Sequence, residues 1–162
     1  MPSLNTNIAD LELDPHLVRT VETECPQSTA TKLPVTVVKA LRASQGFSLL
    51  LPQTLGGKET PFPTFIEFAQ AVATADGSAG WCVTQGSVLS SLARFLPTDV
   101  AKFVWTTPDV SLANGPKIEA TTVKVKDNFV LSGSWWFSSG INHATWLLGV
   151  ATLKKNKEPE TA

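Results

Sequence analysis

The sequence predicts an α+β chain, helices first and strands second, and three observations predict it. Apolar residues recur at helical three-and-four spacing between Leu17 and Val104, in runs that open at Asp14-Pro15, Pro34, Thr64 and Pro97. After Trp105 the texture changes to short stretches rich in Val and Thr, separated by Asn, Asp and Gly. The change is abrupt, so the chain divides into an all-helical domain, residues 1–107, and a β-domain, residues 108–162.

Asp14-Pro15 reads as an N-cap followed by Pro at the first helical position, with Leu17, Val18 and Val21 as the apolar stripe. Cys25-Pro26 ends that helix, because the residue before Pro is pushed out of helical geometry. Gln27–Lys32 is polar and loop-like. Pro34 opens a second helix carrying Val37, Val38 and Leu41, and Gly46 is expected in the left-handed position past its end. Leu49-Leu50-Leu51-Pro52 followed by Gly56-Gly57 reads as a buried crossing and a glycine turn. Thr64-x-x-Glu67 has the form of a capping box for a helix bearing Phe65, Ile66, Ala69, Val72 and Ala73. Asp76-Gly77-Ser78 breaks it. Ala79–Leu92 is apolar almost all round and studded with Gly and Ser, the mark of a buried helix that lets neighbours come close. Pro97 starts a short helix with Val100, Phe103 and Val104.

In the second half, Val110–Ala113 is a short strand closed by a turn at Asn114-Gly115-Pro116. Ile118–Lys126 and Phe129–Ser138 form an antiparallel hairpin about Asp127-Asn128, two residues that tolerate positive φ. Trp146–Leu153 is one further strand, and Lys154–Ala162 is a polar tail.

Composition bounds the function. The chain has 162 residues, 43% apolar and 17% charged, with a formal charge of −1. A globular domain of this length can bury roughly 70% of the surface its unfolded chain exposes, and the apolar fraction excludes a generically disordered chain. Near-neutral charge gives no electrostatic case for nucleic acid or an anionic membrane. No apolar run reaches the roughly 20 residues of a membrane span, and Met1–Glu12 has no signal-peptide pattern. Cys25 and Cys82 fit no metal spacing and read as free thiols in a reducing cytoplasm. With two histidines, His16 and His143, no His-rich metal site is expected. There is no G-x-G-x-x-G, Walker loop, G-x-S-x-G or H-E-x-x-H.

The returning strand is the most informative piece. Side chains alternate along a strand with period two. Phe129, Leu131, Gly133, Trp135 and Phe137 share one face, which suits a core; Val130, Ser132, Ser134, Trp136 and Ser138 share the other. That second face is either an ordinary polar outer surface or a wall that stacks on and hydrogen-bonds a planar heteroaromatic ligand. His143, five residues past Ser138, is either structural or part of such a pocket. Trp81 and Cys82, in the buried helix, read first as core packing.

Four segments together resemble the acyl-CoA dehydrogenase superfamily, and most of all its branch of flavin-dependent monooxygenases, the two-component aromatic hydroxylase type. They are Leu51-Pro52 … Gly56-Gly57; Ala75-Asp76-Gly77-Ser78-Ala79-Gly80-Trp81; Leu96-Pro97 leading to Val104-Trp105; and Leu131–Gly140, whose Trp135-Trp136-Phe137-Ser138-Ser139-Gly140 precedes His143-Ala144-Thr145-Trp146. The last is similar to the W-x-F-x-S-G and H-A-x-W pair of the monooxygenases, where dehydrogenases have a W-I-T-N-type segment.

The resemblance implies a helical domain, the beginning of an antiparallel β-barrel, and a C-terminal four-helix bundle that is absent from this chain. It implies reduced FAD or FMN supplied by a flavin reductase, oxygen, a small aromatic substrate, and homotetrameric relatives. Trp136, Phe137, Ser138 and Ser139 would line the flavin ring, with a serine hydroxyl near its N5/O4 edge. Asn114 would touch the ring from the preceding β-segment, and Trp81 would face the substrate. Ser138, Ser139 and His143 are the candidate catalytic residues. Some relatives carry a histidine two turns past the helix tryptophan; here that region is Val88-Leu89-Ser90. Family members are more than twice this length, so this chain alone is expected to bind flavin weakly or not at all. Two alternatives stand beside the monooxygenase. One is an acyl-CoA dehydrogenase, although Asn114-Gly115-Pro116-Lys117 replaces the usual T-E-P-x-x-G-S-D-like run. The other is a truncated, non-catalytic chain with an exposed half-barrel edge.

Overall fold

The computed structural model describes residues 13–25, 31–107, 109–115 and 120–154. The expectations for Met1–Glu12, most of the loop after Cys25, Pro116, Ile118 and the tail past Lys154 lie outside them. Within them the fold is α+β: α1 Pro15–Glu24, α2 Val35–Ala43, α3 Phe62–Ala75, α4 Gly77–Ser91 and α5 Thr98–Trp105 precede β1 Leu112–Gly115, β2 Thr121–Val125, β3 Asn128–Ser132, β4 Trp146–Gly149 and β5 Thr152–Lys154.

Local chemistry sets the helix ends. Asp14 Oδ1 accepts the His16 N–H at 2.8 Å, capping α1. Asp76, in extended geometry, ends α3 and caps α4 by accepting the Ala79 N–H at 2.8 Å. Helix α2 closes with Gln45 in the left-handed region (φ 60°), its N–H on Arg42 O at 2.9 Å and the Gly46 N–H on Leu41 O at 2.7 Å. The left-handed residue is therefore Gln45 and not Gly46. At 46 glycine eases a close approach, since a Cβ there would lie 3.1 Å from Leu41 O. Gly56 does take a left-handed turn, at φ 82°. Helix α3 starts two residues before the expected capping box: Pro61 occupies its N-cap and no side chain caps it, so Thr64 lies inside the helix. Its buried face is Phe65, Phe68, Ala69 and Val72, with Ile66 and Ala73 exposed.

Two cores result. Leu17, Val21, Val37, Leu41, Phe47, Leu49, Phe65, Val72 and Val83 join α1 to α4. Leu51, Leu89, Ala93, Ala101, Val104, Trp105 and Leu112, with Trp146 and Leu148 against them, bind the end of α4 and α5 to β1 and β4. Each fully buried Val, Leu or Phe among them contributes about 1.5–3 kcal/mol. Small residues let α4 approach its neighbours. A Cβ on Gly80 would come within 2.5 Å of Ala73 Cα in α3. Ser87 Oγ donates to Gly46 O at 3.0 Å and accepts the Leu49 N–H at 3.3 Å, so its buried hydroxyl is satisfied. The helix is not buried all round: Trp81 is 53% exposed and Val88 also faces out, which removes the core-packing reading of Trp81.

The strands depart from expectation in four ways. β1 runs through Asn114 and Gly115, which therefore form no turn. The hairpin turns at Lys126-Asp127, one residue early, with Val125 paired to Asn128 and Lys126 at φ 55°. The stretch from Trp146 is two strands, β4 pairing parallel with β1 and β5 pairing parallel with β2, so among the described residues only β2–β3 is antiparallel. Finally, β3 stops at Ser132, opposite Thr121. Every β3 residue is exposed, Phe129 and Leu131 included, so that face covers no core among the described residues.

Asp76→Ala removes the α4 cap, and we expect a loss of about 1 kcal/mol, seen as a Tm lower by about 2–4 °C, with Asp76→Asn retaining most of it. Gly80→Ala has favourable helix propensity but meets Ala73 backbone; we expect net destabilisation of about 1–3 kcal/mol in a denaturant melt.

Candidate functional site

The loop between β3 and β4 carries the residues that the sequence singled out, and Trp135 seats it. Gly115 and Gly149 are register partners across β1 and β4. A Cβ at Gly115 would approach Trp135 Cβ to 2.5 Å, and one at Gly149 would approach the indole Cζ2 to 3.0 Å. Trp135 thus sets its backbone and Cβ over Gly115 and its indole over Gly149, and its Nε1 donates to Val150 O at 3.0 Å. Trp135 is an anchor, a role hidden from sequence because Gly115 and Gly149 lie far apart along the chain.

Past this anchor the chain leaves strand geometry. Phe137 has φ 57°, so the period-two placement of Trp136 and Ser138 on one strand face does not hold. Trp136 is 61% exposed and Phe137 85% exposed. Ser138 Oγ donates to Trp135 O at 3.1 Å and lies where a Cβ on Gly115 would meet it at 3.0 Å, which puts it against Gly115 of β1. Ser139 Oγ accepts the Trp81 Nε1–H at 2.9 Å, joining the loop to α4. Its own hydroxyl proton has no acceptor among the described residues.

Gly140, at φ 84°, brings the loop onto the helices: a Cβ there would lie 3.2 Å from His143 Nε2 and 3.9 Å from Cys82 Sγ. The His143 ring stacks on Phe47, with centroids 4.9 Å apart and planes 26° from parallel. Its carbonyl oxygen accepts from Arg42 Nη2 at 2.8 Å and Ser111 Oγ at 2.9 Å. Ser111 O also accepts the N–H groups of Thr145, at 2.9 Å, and Trp146, at 3.2 Å. Trp81, Ser138, Ser139 and His143 are therefore gathered around one loop; Asn114 lies in β1, the residue before Gly115. Trp136 and Phe137 project from the loop. Arg42 and Ser111, which carry no motif, were not legible as part of this arrangement.

Burial, and secondarily the Arg42 guanidinium, pushes the His143 pKa below the ordinary histidine value of 6.5. Burial pushes the Cys82 thiol up to about 11, helped by Asp76 and Cys25, so it stays protonated and a poor nucleophile near neutrality. Cys25 and Cys82 are both free thiols. Among the described residues no group of three His, Cys, Asp or Glu side chains is placed to hold a metal ion, and no helix is long and apolar enough to cross a membrane.

An exposed aromatic pair beside two serine hydroxyls, one of them with a free proton, suits a planar ring that carries hydrogen-bond acceptors. The residues present fit a flavin. No family model matches the chain. The sequence is 30% identical over 120 residues to an indole-3-acetate monooxygenase of Pseudomonas putida, covering 74% of this chain and 31% of that protein. It is 29% identical over 129 residues to the flavin-dependent monooxygenase oxygenase subunit HsaA of Mycobacterium tuberculosis, covering 79% of this chain and 33% of that protein. The solved structure of XiaF from a Streptomyces species, in complex with FADH2 and glycerol, superposes with a TM-score of 0.74 at 26% identity, over 90% of this chain and 39% of that one. The chain thus spans about a third of the length of the curated relatives that it matches.

A group whose folded pKa is lowered contributes stability that is complete above its unfolded value and is lost as pH falls through the folded one. We expect the His143 imidazole to titrate below 6.5 by NMR. We also expect Tm to drop between about pH 7.5 and about pH 5 by more in the native protein than in His143→Phe, which keeps the stack and removes the titration. Equal drops would assign the pH sensitivity elsewhere.

Proposed function

We propose that these residues form the helical and β-strand part of the oxygenase component of a flavin-dependent monooxygenase, which hydroxylates a small aromatic substrate. The observation that carries this reading is the Trp81–Ser139 hydrogen bond at 2.9 Å, set beside exposed Trp136. The reduced flavin, FAD or FMN delivered by a partner reductase, supplies when bound the electrons that activate oxygen. One oxygen atom enters the substrate ring and the other leaves as water.

This chain's residues bind and orient. Trp136 and Phe137 offer flat apolar surface to the ring, and Asn114 approaches it from β1. Trp81 takes a lone pair of Ser139 Oγ, which turns the hydroxyl proton outward and polarises it toward an acceptor on the ring edge. Ser138 is held to Trp135 O and fixes the turn from which Ser139 points. His143 acts as a positioning residue, seating the loop on Phe47. Trp81, on α4, faces the substrate side. The opposite wall of the pocket, a homotetrameric assembly and the rest of the barrel come from polypeptide outside these residues. Two free thiols suit a cytoplasmic location.

Flavin titration of the 162-residue chain tests the shared wall: we expect reduced FMN or FAD to bind without saturating at micromolar concentrations. A tight stoichiometric complex would contradict it. In the protein with its pocket complete, phenol or indole turned over under labelled oxygen is expected to carry the label into product, whereas acyl-CoA oxidation without label would overturn the monooxygenase reading. Ser139→Ala is expected to lower oxygen transfer roughly 100-fold, the order found when one preorganised donor is lost. Trp81→Phe is expected to lower it about tenfold, one hydrogen bond's worth, with oxygen consumed in place of product formed.

A further inference from the structure

The His143 ring closes the site loop onto the helical half, and its surroundings accept only the neutral form. It stacks on Phe47, a buried member of the first core. Its Nε2 lies against Gly140, 3.2 Å from where a Cβ would stand. The Gly140 carbonyl is no acceptor for the ring, because it already takes the backbone N–H groups of His143 and Ala144, each at 3.0 Å. Among the described residues neither ring nitrogen has a hydrogen-bond partner. The charged and titratable groups nearby offer a cation no counter-charge. From α2 comes the Arg42 guanidinium, held on the carbonyl of His143 itself at 2.8 Å. From α4 comes Cys82, packed at the same Gly140 and kept a neutral thiol. Asp76 stands at the α4 N-terminus, where it accepts the Ala79 N–H. On the β1 side Ser111 is neutral and gives its hydroxyl proton to His143 O. Asp109 borders Arg42 and Phe47 from the same side, but it is exposed, and a charge in water acts weakly. The Phe47 face attracts a cation, yet burial and the guanidinium outweigh it and hold the imidazole below its ordinary range.

We propose that His143 is a proton-sensitive latch: its neutral ring holds the loop on α2 and α4, and its protonation releases the loop and parts Ser139 from Trp81. A released ring gains water on both nitrogens and moves away from the guanidinium. Docking is complete above the ordinary histidine value and weakens as pH falls through the lowered one, tenfold for each unit between the two. Trp135 carries no titratable group, so its seat on Gly115 and Gly149 stays and the release is confined to the chain past it. The Trp81–Ser139 bond, at 2.9 Å, spans from α4 to the freed segment and reports its state. The consequence for activity rests on the flavin reading above: the wall that carries Ser139 would be assembled at neutral pH and loosened in acid. The latch itself does not depend on that reading.

NMR of the 162-residue chain without flavin, from about pH 7.5 to about pH 5, tests the latch apart from the flavin reading. The His143 ring protons and the Trp81 indole N–H are followed together, with Trp81→Phe identifying the indole signal. The Trp81 signal is expected to shift with the same midpoint as the His143 ring. Its solvent exchange, corrected for the intrinsic effect of pH, is expected to rise several-fold on the acid side, while the amides of α3 hold still. In His143→Phe, which keeps the stack and removes the titration, the Trp81 signal is expected to stay at its neutral-pH position throughout. A Trp81 signal that holds still while the native His143 ring titrates would overturn the proposal, and so would one that moves equally in folded His143→Phe. The first comparison needs only the native chain, so it decides even where the variant does not fold.

Discussion

The carbonyl oxygen of His143 accepts two hydrogen bonds, from Arg42 Nη2 at 2.8 Å and from Ser111 Oγ at 2.9 Å. Arg42 ends a helix near the start of the chain, Ser111 leads into the first strand, and His143 closes the loop before the fourth. One acceptor thus ties three distant segments. A part-buried bond from a cation contributes about 1.5–3 kcal/mol, more than a neutral one, and it is paired here with the Phe47–His143 stack. Among the described residues, the other ties of this loop to the helical side are the Phe47–His143 stack, the Trp81 bond, the Asn142–Thr31 hydrogen bond at 3.1 Å and packing at Gly140.

The second constraint is steric. Trp135 lies on the glycine pair Gly115–Gly149, and this fixes where the loop leaves the sheet. Gly115 leaves room for the Trp135 backbone and Cβ, and Gly149 for its indole, so two register-paired residues without Cβ atoms seat the whole residue. The loop then has one end set by packing and the other by hydrogen bonds. Between those ends Ser139 meets Trp81, while Trp136 and Phe137 are left exposed. Exposure of that much aromatic surface is costly in isolation and marks a face that something covers. In the functional reading above, a flavin and its opposite wall cover it.

Much of the helical half was legible because its signals are local. Asp14-Pro15, Asp76 and Pro97 act within one turn of where they stand. The strands were less legible because their limits are set by partners. Alternation continues in the sequence to Ser138, but β2 offers its last partner, Thr121, to Ser132, and nothing in residues 133–138 announces that the ladder has ended. Trp146–Leu153 reads as one strand because both sheets take apolar residues from it; only the three-dimensional order shows that β1 takes the first part and β2 the second. The W-x-F-x-S-G segment lies past the end of β3, with Phe137 at φ 57°, so strand alternation does not place its side chains. Arg42 and Ser111 stayed hidden because a lone Arg in a helix's last turn and a lone Ser before a strand look like ordinary surface residues.

The most direct test of this account is amide hydrogen exchange across residues 138–146 in the native protein and in Ser111→Ala. If the His143 carbonyl is the tie between the two halves, the native loop exchanges slowly, and Ser111→Ala loses protection throughout the loop while α1–α4 keep theirs. Unchanged protection in a folded Ser111→Ala variant would contradict the account and leave Trp135 and its glycine floor as what holds the loop.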